Sequence, residues 1–202
     1  MKSIRVILAV LVLAVVAAAG LGGYVLSRGL SARDEPSGAE AFIARRLRRM
    51  AMPGRSRELK NPVQAGPEVL SGATAHFADH CASCHGNDGR GETIFGQGLY
   101  PKPPDLRRED TQKLSDGEMF WIIENGVRFT GMPAFGGEIG SQEDSWKLVR
   151  FIRHLPRLTE EERMEMERYN PKGPEDLEEE QEENNFLQGA PIQQKPEEMH
   201  HH

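Results

Sequence analysis

Cys81-Ala82-Ser83-Cys84-His85 limits the architectures open to this chain, because such a C-x-x-C-H run is the signature of covalent haem attachment. Two thiols two residues apart on one helical turn can add across the two vinyl groups on one haem edge, and the next residue then lies beneath the iron. His85 is the predicted proximal ligand, and Ala82 and Ser83 are too small to stand between the thioethers and the porphyrin. Other uses of the spacing fit less well. A closed zinc site needs four ligands, and the chain has only these two cysteines plus scattered histidines. A thioredoxin-like pair belongs in a βαβ setting, and no alternating strands surround the motif. A disulfide between such close cysteines leaves His85-Gly86 without a purpose.

Charge divides the 202 residues into three parts. Residues 1–60 carry eleven Lys/Arg against four Asp/Glu, residues 61–157 ten against thirteen, and residues 158–202 four against fourteen. Such segregation places the packed domain in the middle and anchors, linkers or solvated segments at the ends. The front opens with Lys2 and Arg5, then an uncharged apolar run from Val6 to Leu26, 21 residues long. That suffices for a bilayer core, which takes roughly 20. A cleaved signal peptide is the competing reading, since Ala17-Ala18-Ala19 offers small residues of the cleavage type. Leu21, Tyr24, Val25 and Leu26 carry the apolar run past that point and favour a retained single-span anchor over residues 1–27. Either outcome exports the rest of the chain, so the expected location is a bacterial cell membrane with the domain on the periplasmic side.

Residues 28–66 read as a basic linker. Within it, residues 39–52 space Phe42, Ile43, Leu47 and Met50 as one helix face among Arg45, Arg46, Arg48 and Arg49, and Pro53-Gly54 ends the pattern. Contact with anionic headgroups or an acidic partner is one use of such a segment; packing on the domain is the other.

The domain spans residues 67–157. Pro67 suits the first turn of a helix running to about Cys81, striped by Leu70, Ala73, Phe77 and Ala78. Ser115 and Glu118 form a capping-box pattern ahead of Met119, Phe120, Ile122 and Ile123, with Gly126 beyond the end. A third helix starts near Ser141, carries Trp146, Val149, Phe151, Ile152 and Leu155, and stops at Pro156. So little regular structure makes a weak core by itself, and a haem supplies the apolar surface that is missing. The stiff apolar loop from Gly89 to Leu106, with Ile94, Phe95, Leu99, Pro101, Pro103, Pro104 and Leu106, is expected to wall the haem edge.

A sixth ligand is legible in Asn125–Gly136, where Gly131 and Pro133 bracket Met132 and Phe135 follows closely. Most methionines fill gaps in cores, and Met50, Met52, Met119, Met164 and Met166 are assigned there or to the surface. Met132 lies in a loop between a free and a stiff residue, where a thioether can reach iron. His/Met ligation raises the reduction potential relative to bis-His.

These residues resemble class I c-type cytochromes, in particular small bacterial monohaem domains of the cytochrome c6 and cbb3-oxidase cytochrome-subunit type. The resemblance covers roughly residues 67–156 and rests on Cys81, Cys84, His85 and Gly86, on Gly131-Met132-Pro133, and on the Trp146–Ile152 pattern. It implies an all-α cytochrome c fold around one covalently bound haem c, with the first and last helices crossing so that Ala73 and Phe77 meet Phe151. It also implies a backbone carbonyl accepting a hydrogen bond from His85, for which Pro101 is the candidate. His76, His80 and His154 are expected to be exposed helix residues.

Thr159 and Glu162 cap one more predicted helix, reaching about Tyr169, and beyond Pro171 the Glu/Gln/Asn/Pro composition predicts a disordered acidic tail able to steer a basic partner. His200, His201 and His202 are excluded from the fold as a tag remnant or a metal-binding end. The expected function is single-electron transfer by a membrane-anchored carrier with redox-protein partners, no nucleic acid and no catalysis of its own. A haem subunit fixed in a larger complex, and a haem sensor or enzyme with labile Met132, are the alternatives.

Overall fold

The computed structural model describes residues 2–29, 31–137, 140–173, 176, 177, 182, 184, 185 and 187, and the regular elements among them are all helical. Helix α1, Lys2–Arg28, contains an apolar stretch at Ser3–Ser27 with mean hydropathy 2.7. At 1.5 Å rise per residue it is roughly 37 Å long, enough for a hydrocarbon core of about 30 Å. The side chains of Ser3–Ser27 are exposed, as an anchor's would be outside its bilayer. Helix α2, Gly38–Ala51, starts where the Ser37 hydroxyl accepts from the Glu40 N–H at 3.2 Å, and a single turn, α3, Gly54–Glu58, follows Pro53.

Helix α4 runs Pro67–His80, with proline at its first position where the missing N–H costs nothing. Three one-turn helices follow in the loops: α5, Ala82–His85; α6, Ile94–Gln97; and α7, Glu109–Gln112. Helix α8, Asp116–Asn125, opens with the expected capping box: the Ser115 N–H donates to Glu118 at 2.8 Å and the Glu118 N–H to the Ser115 hydroxyl at 3.1 Å. Helix α9 is Gln142–His154, followed by a 3-10 turn at Leu155–Arg157. Helix α10, Glu160–Met166, opens with the Thr159/Glu162 box and passes into a 3-10 turn at Glu167–Tyr169.

The core forms where α4 crosses α9. Ala73 and Ala78 allow close approach, and the buried Phe77 and Phe151 rings meet tilted at 46°, centroids 4.8 Å apart. Helix α8 also packs on α9, with Phe120 stacked on Trp146 at 4.0 Å. Arg153 ties α9 to the start of α8, donating to Asp116 at 2.9 Å and to the carbonyls of Gln112 and Leu114.

Two segments read from the sequence as appendages are fastened to this core. Met52 is buried, and the Ser115 hydroxyl donates to the Arg57 carbonyl at 3.0 Å. α3 lies so close to α8 that a Cβ on Gly117 would come 1.9 Å from the Ser56 carbonyl oxygen. Farther on, Asn61 donates to the Trp146 carbonyl at 2.9 Å, and Arg150 donates to the Val63 carbonyl at 2.9 and 2.7 Å. The linker expected over residues 28–66 is thus held to the domain, by the Ser115 and Arg150 side chains on its backbone, by Asn61 on the α9 backbone, and upstream by Tyr100 on Glu40 and Lys102 on Glu35. Likewise Met166, fully buried, brings α10 against α4, so residues 158–169 belong to the packed structure. Of the tail expected to be disordered beyond Pro171, Asp176, Leu177, Glu182, Asn184, Asn185 and Leu187 are helical instead, since a Glu-rich stretch favours local helix without burying surface, and residues 188–202, His200–His202 included, lie outside the described residues.

Candidate functional site

α4 delivers the attachment motif. The Cys81 N–H donates to the Phe77 carbonyl at 2.9 Å, continuing the helix, and the N–H groups of Cys84 and His85 both donate to the Cys81 carbonyl, at 3.2 and 2.9 Å. One turn therefore presents Cys81, Cys84 and His85 together. Both cysteines are half-buried free thiols. Burial, with Cys84 beside it, pushes the Cys81 thiol up to about 12, which keeps it protonated at neutral pH.

His85 Nδ1 is buried with no hydrogen-bond partner, and burial pushes the imidazole down to about 4. A neutral ring retains a nitrogen lone pair that a metal can accept, whereas an unpartnered buried polar atom costs about 1–3 kcal/mol. The ring lies 6.5 Å from that of Phe77, centroid to centroid. The Pro101 carbonyl, the expected acceptor, does not pair with it. Pro101 is exposed, and its neighbours turn instead toward α2, Tyr100 donating to Glu40 and Lys102 pairing with Glu35.

The loop after the motif folds back over α5. The Gly91 N–H donates to the His85 carbonyl at 2.7 Å; Gly91 has φ 77°, and a Cβ there would meet the Pro103 carbonyl oxygen at 2.7 Å. Only glycine combines that left-handed backbone with so close an approach. Thr93, unremarked in the sequence, is the lock: its hydroxyl donates to the Ser83 carbonyl at 2.7 Å and accepts from the Gly96 N–H at 2.9 Å, capping α6. A threonine directly ahead of Ile94-Phe95 was its only local signal.

Met132 is half-buried in a closed loop, where the Val127 N–H donates to the Met132 carbonyl at 3.1 Å and the Met132 N–H to the Thr130 hydroxyl at 3.1 Å. The two loops meet: a Cβ on Gly131 would lie 2.6 Å from Leu99 Cδ2. Phe135 donates its N–H to the Ile123 carbonyl at 3.0 Å and packs half-buried on the core. Leu106 is buried in the main core, its N–H on the Gly89 carbonyl at 2.8 Å. Ile94 and Phe95, expected along a haem edge, are 92% and 71% exposed, and Phe129, with φ 62°, is 93% exposed.

The remaining histidines make local contacts. The His76 and His80 rings meet tilted at 49° with centroids 4.8 Å apart, His80 pairs with Asp79 at 3.1 Å, and His154 Nε2 lies 2.9 Å from Glu162. His76 and His154 are half-buried rather than exposed, because α9 and α10 cover those faces of the chain.

Two free thiols, a neutral imidazole whose buried Nδ1 has no partner, and a thioether in a loop joined to the motif's own loop are a donor set that fits covalent haem. Residues 68–152 match the family described as Cytochrome C oxidase, cbb3-type, subunit III. No curated protein matches the chain.

Proposed function

We propose, from the premise that residues 68–152 are a c-type cytochrome domain of that family, that the chain is a membrane-anchored carrier passing single electrons between redox proteins. Cys81 and Cys84 would hold one haem by thioethers, and His85 and Met132 would bind its iron. Bound there, the haem supplies reversible one-electron chemistry between ferric and ferrous iron. The carrying observation is the single α5 turn that presents two unpaired thiols beside an imidazole whose buried Nδ1 has no hydrogen-bond partner.

The chain's own residues have separate tasks in this reading. Burial holds His85 neutral, so the ligating nitrogen needs no deprotonation at neutral pH. Closure of the loop between Val127 and Met132 holds the thioether in place, and the Leu99–Gly131 contact joins that loop to the one after the motif. With His85 and Met132 both engaged on the iron, the group would keep no place for a substrate, and no catalysis is proposed. Ile94, Phe95 and Phe129 form an exposed apolar set that a partner can desolvate while electrons pass. α1 would cross the membrane once, leaving the domain on the exported side.

The test is the visible spectrum of detergent-extracted membranes, oxidised and reduced, for wild type and Met132→Ala. A sharp c-type α-band on reduction, with a weak far-red methionine-to-iron band that vanishes in the variant, is the expected result. Haem without that band would move the reading to a sensor or enzyme, and absence of haem would refute it outright. The family's description as an oxidase subunit favours a second reading, a haem subunit fixed in a larger complex. Stoichiometric partners co-purifying in mild detergent would establish that one.

A further inference from the structure

We infer that α2 is an interfacial helix that lies on the anionic headgroups of the membrane crossed by α1 and sets the orientation of the cytochrome domain; this rests on the reading of α1 as a membrane span. The helix buries none of its own residues. Phe42, Ile43, Leu47 and Met50 are 65%, 55%, 58% and 69% exposed and fall on one side of a 3.6-residue wheel. Ala41 and Arg48, half-buried, mark the opposite side, which faces the domain. The apolar stripe therefore points away from the protein's own core.

Charge and connectivity name the occupant. Arg45 and Arg46 border or interrupt the stripe and have no acidic partner among the described residues, while Arg49 reaches Glu118 only at 4.0 Å. Long arginine stems can cover apolar surface and keep the guanidinium at the headgroup level, where anionic phosphates attract it. A solvated helix on an ordinary domain surface has no use for four large apolar side chains facing outward. α2 begins at Gly38 and α1 ends at Arg28, so the chain leaving the bilayer reaches the headgroups before the domain begins.

α2 is also clamped at both ends. Near its start, Glu40 accepts from Tyr100, and Glu35 just upstream pairs with Lys102. At its finish, Met52 is buried, and Arg57 donates to the carbonyls of Arg49 and Met52, occupying acceptors a helix leaves open at its C-terminus. A helix seated on the membrane and held this way carries the domain with it, and the loop bearing Tyr100 and Lys102 is the part it grips.

Hydrogen–deuterium exchange on the full-length haem-loaded protein tests this in nanodiscs of phosphatidylcholine alone and of phosphatidylcholine mixed with phosphatidylglycerol. Amides of residues 38–51 are expected to exchange about tenfold more slowly in the phosphatidylglycerol discs, and the Arg45→Glu/Arg46→Glu double variant is expected to lose the difference. Exchange in α9, unchanged between discs and variants, verifies that the domain stays folded. Equal exchange of α2 in both lipids, with the protein resident in the disc, would overturn the inference; so would protection that arises only when a partner protein co-purifies. Failure of α1 as a span reads differently, as protein that does not enter the disc at all.

Discussion

Substituting Gly126→Ala asks whether backbone sterics hold the Met132 loop. Gly126 has φ 65° and ψ −168°, a region close to glycine-only, where another residue costs about 1–3 kcal/mol. The new methyl would also lie 2.7 Å from the Met132 carbonyl oxygen and the Pro133 carbonyl carbon, and 2.8 Å from the Ala134 nitrogen. These are backbone atoms that cannot swing aside, and overpacking of this kind adds about 1–3 kcal/mol. Together the two costs reach roughly 2–6 kcal/mol, a large share of a domain's usual 5–15. Gly137→Ala is the control: φ is 80° there, but nothing lies within 4 Å of an added Cβ, so only the conformational cost of about 1–2 kcal/mol remains. Thermal unfolding of the haem-loaded protein is followed by circular dichroism, with the far-red methionine band recorded alongside. Gly126→Ala is expected to lower Tm by roughly 10 °C or more, at about 4–8 °C per kcal/mol for a domain of this size, and to abolish the band. Gly137→Ala is expected to lower Tm about half as much and to keep it. Equal losses in the two variants, or a band that survives in Gly126→Ala, would refute the argument that contact with the Met132–Ala134 backbone holds the loop.

Met166→Ala removes a fully buried side chain and is expected to cost about 2–5 kcal/mol, read as a drop in the single unfolding transition of the whole domain; an unmoved Tm would make residues 158–169 an independent appendage after all. Acid stability supplies another test. The Arg107 guanidinium hydrogen-bonds Asp105 and holds its carboxyl below the usual range. A depressed acid stabilises the fold above its unfolded pKa and loses that stabilisation as pH falls through the folded value. Wild type therefore loses stability below about pH 4, Asp105→Asn loses less across that window, and identical acid-unfolding curves by circular dichroism would count against the pair.

Much of the helical framework was readable in advance because its signals are local. Pro67 at the first position of α4, the Ser115/Glu118 and Thr159/Glu162 boxes and the Ser141 cap each act within four residues, and each stands at a helix start in the structure. α3, α6 and α7 were not readable, since helices of four or five residues carry no period to detect. At the site, the shared turn of Cys81, Cys84 and His85 follows from their spacing. The Thr93 lock does not, because its partners, the Ser83 and Cys84 carbonyls, sit ten and nine residues back across a reversed loop.

What the sequence determined by itself is whatever depends on neighbours along the chain: the attachment turn, the bracketing of Met132 by Gly131 and Pro133, the apolar length of α1 and the caps of the long helices. Tertiary structure alone decided which distant segments share backbone partners. Arg150 reaching back to Val63, Asn61 reaching Trp146, Met166 closing over α4, and Tyr100 turned toward α2 instead of His85 all join residues far apart in sequence. Their side chains have several possible partners of equal chemistry in an unfolded chain, and only the crossing of α4 and α9 selects among them.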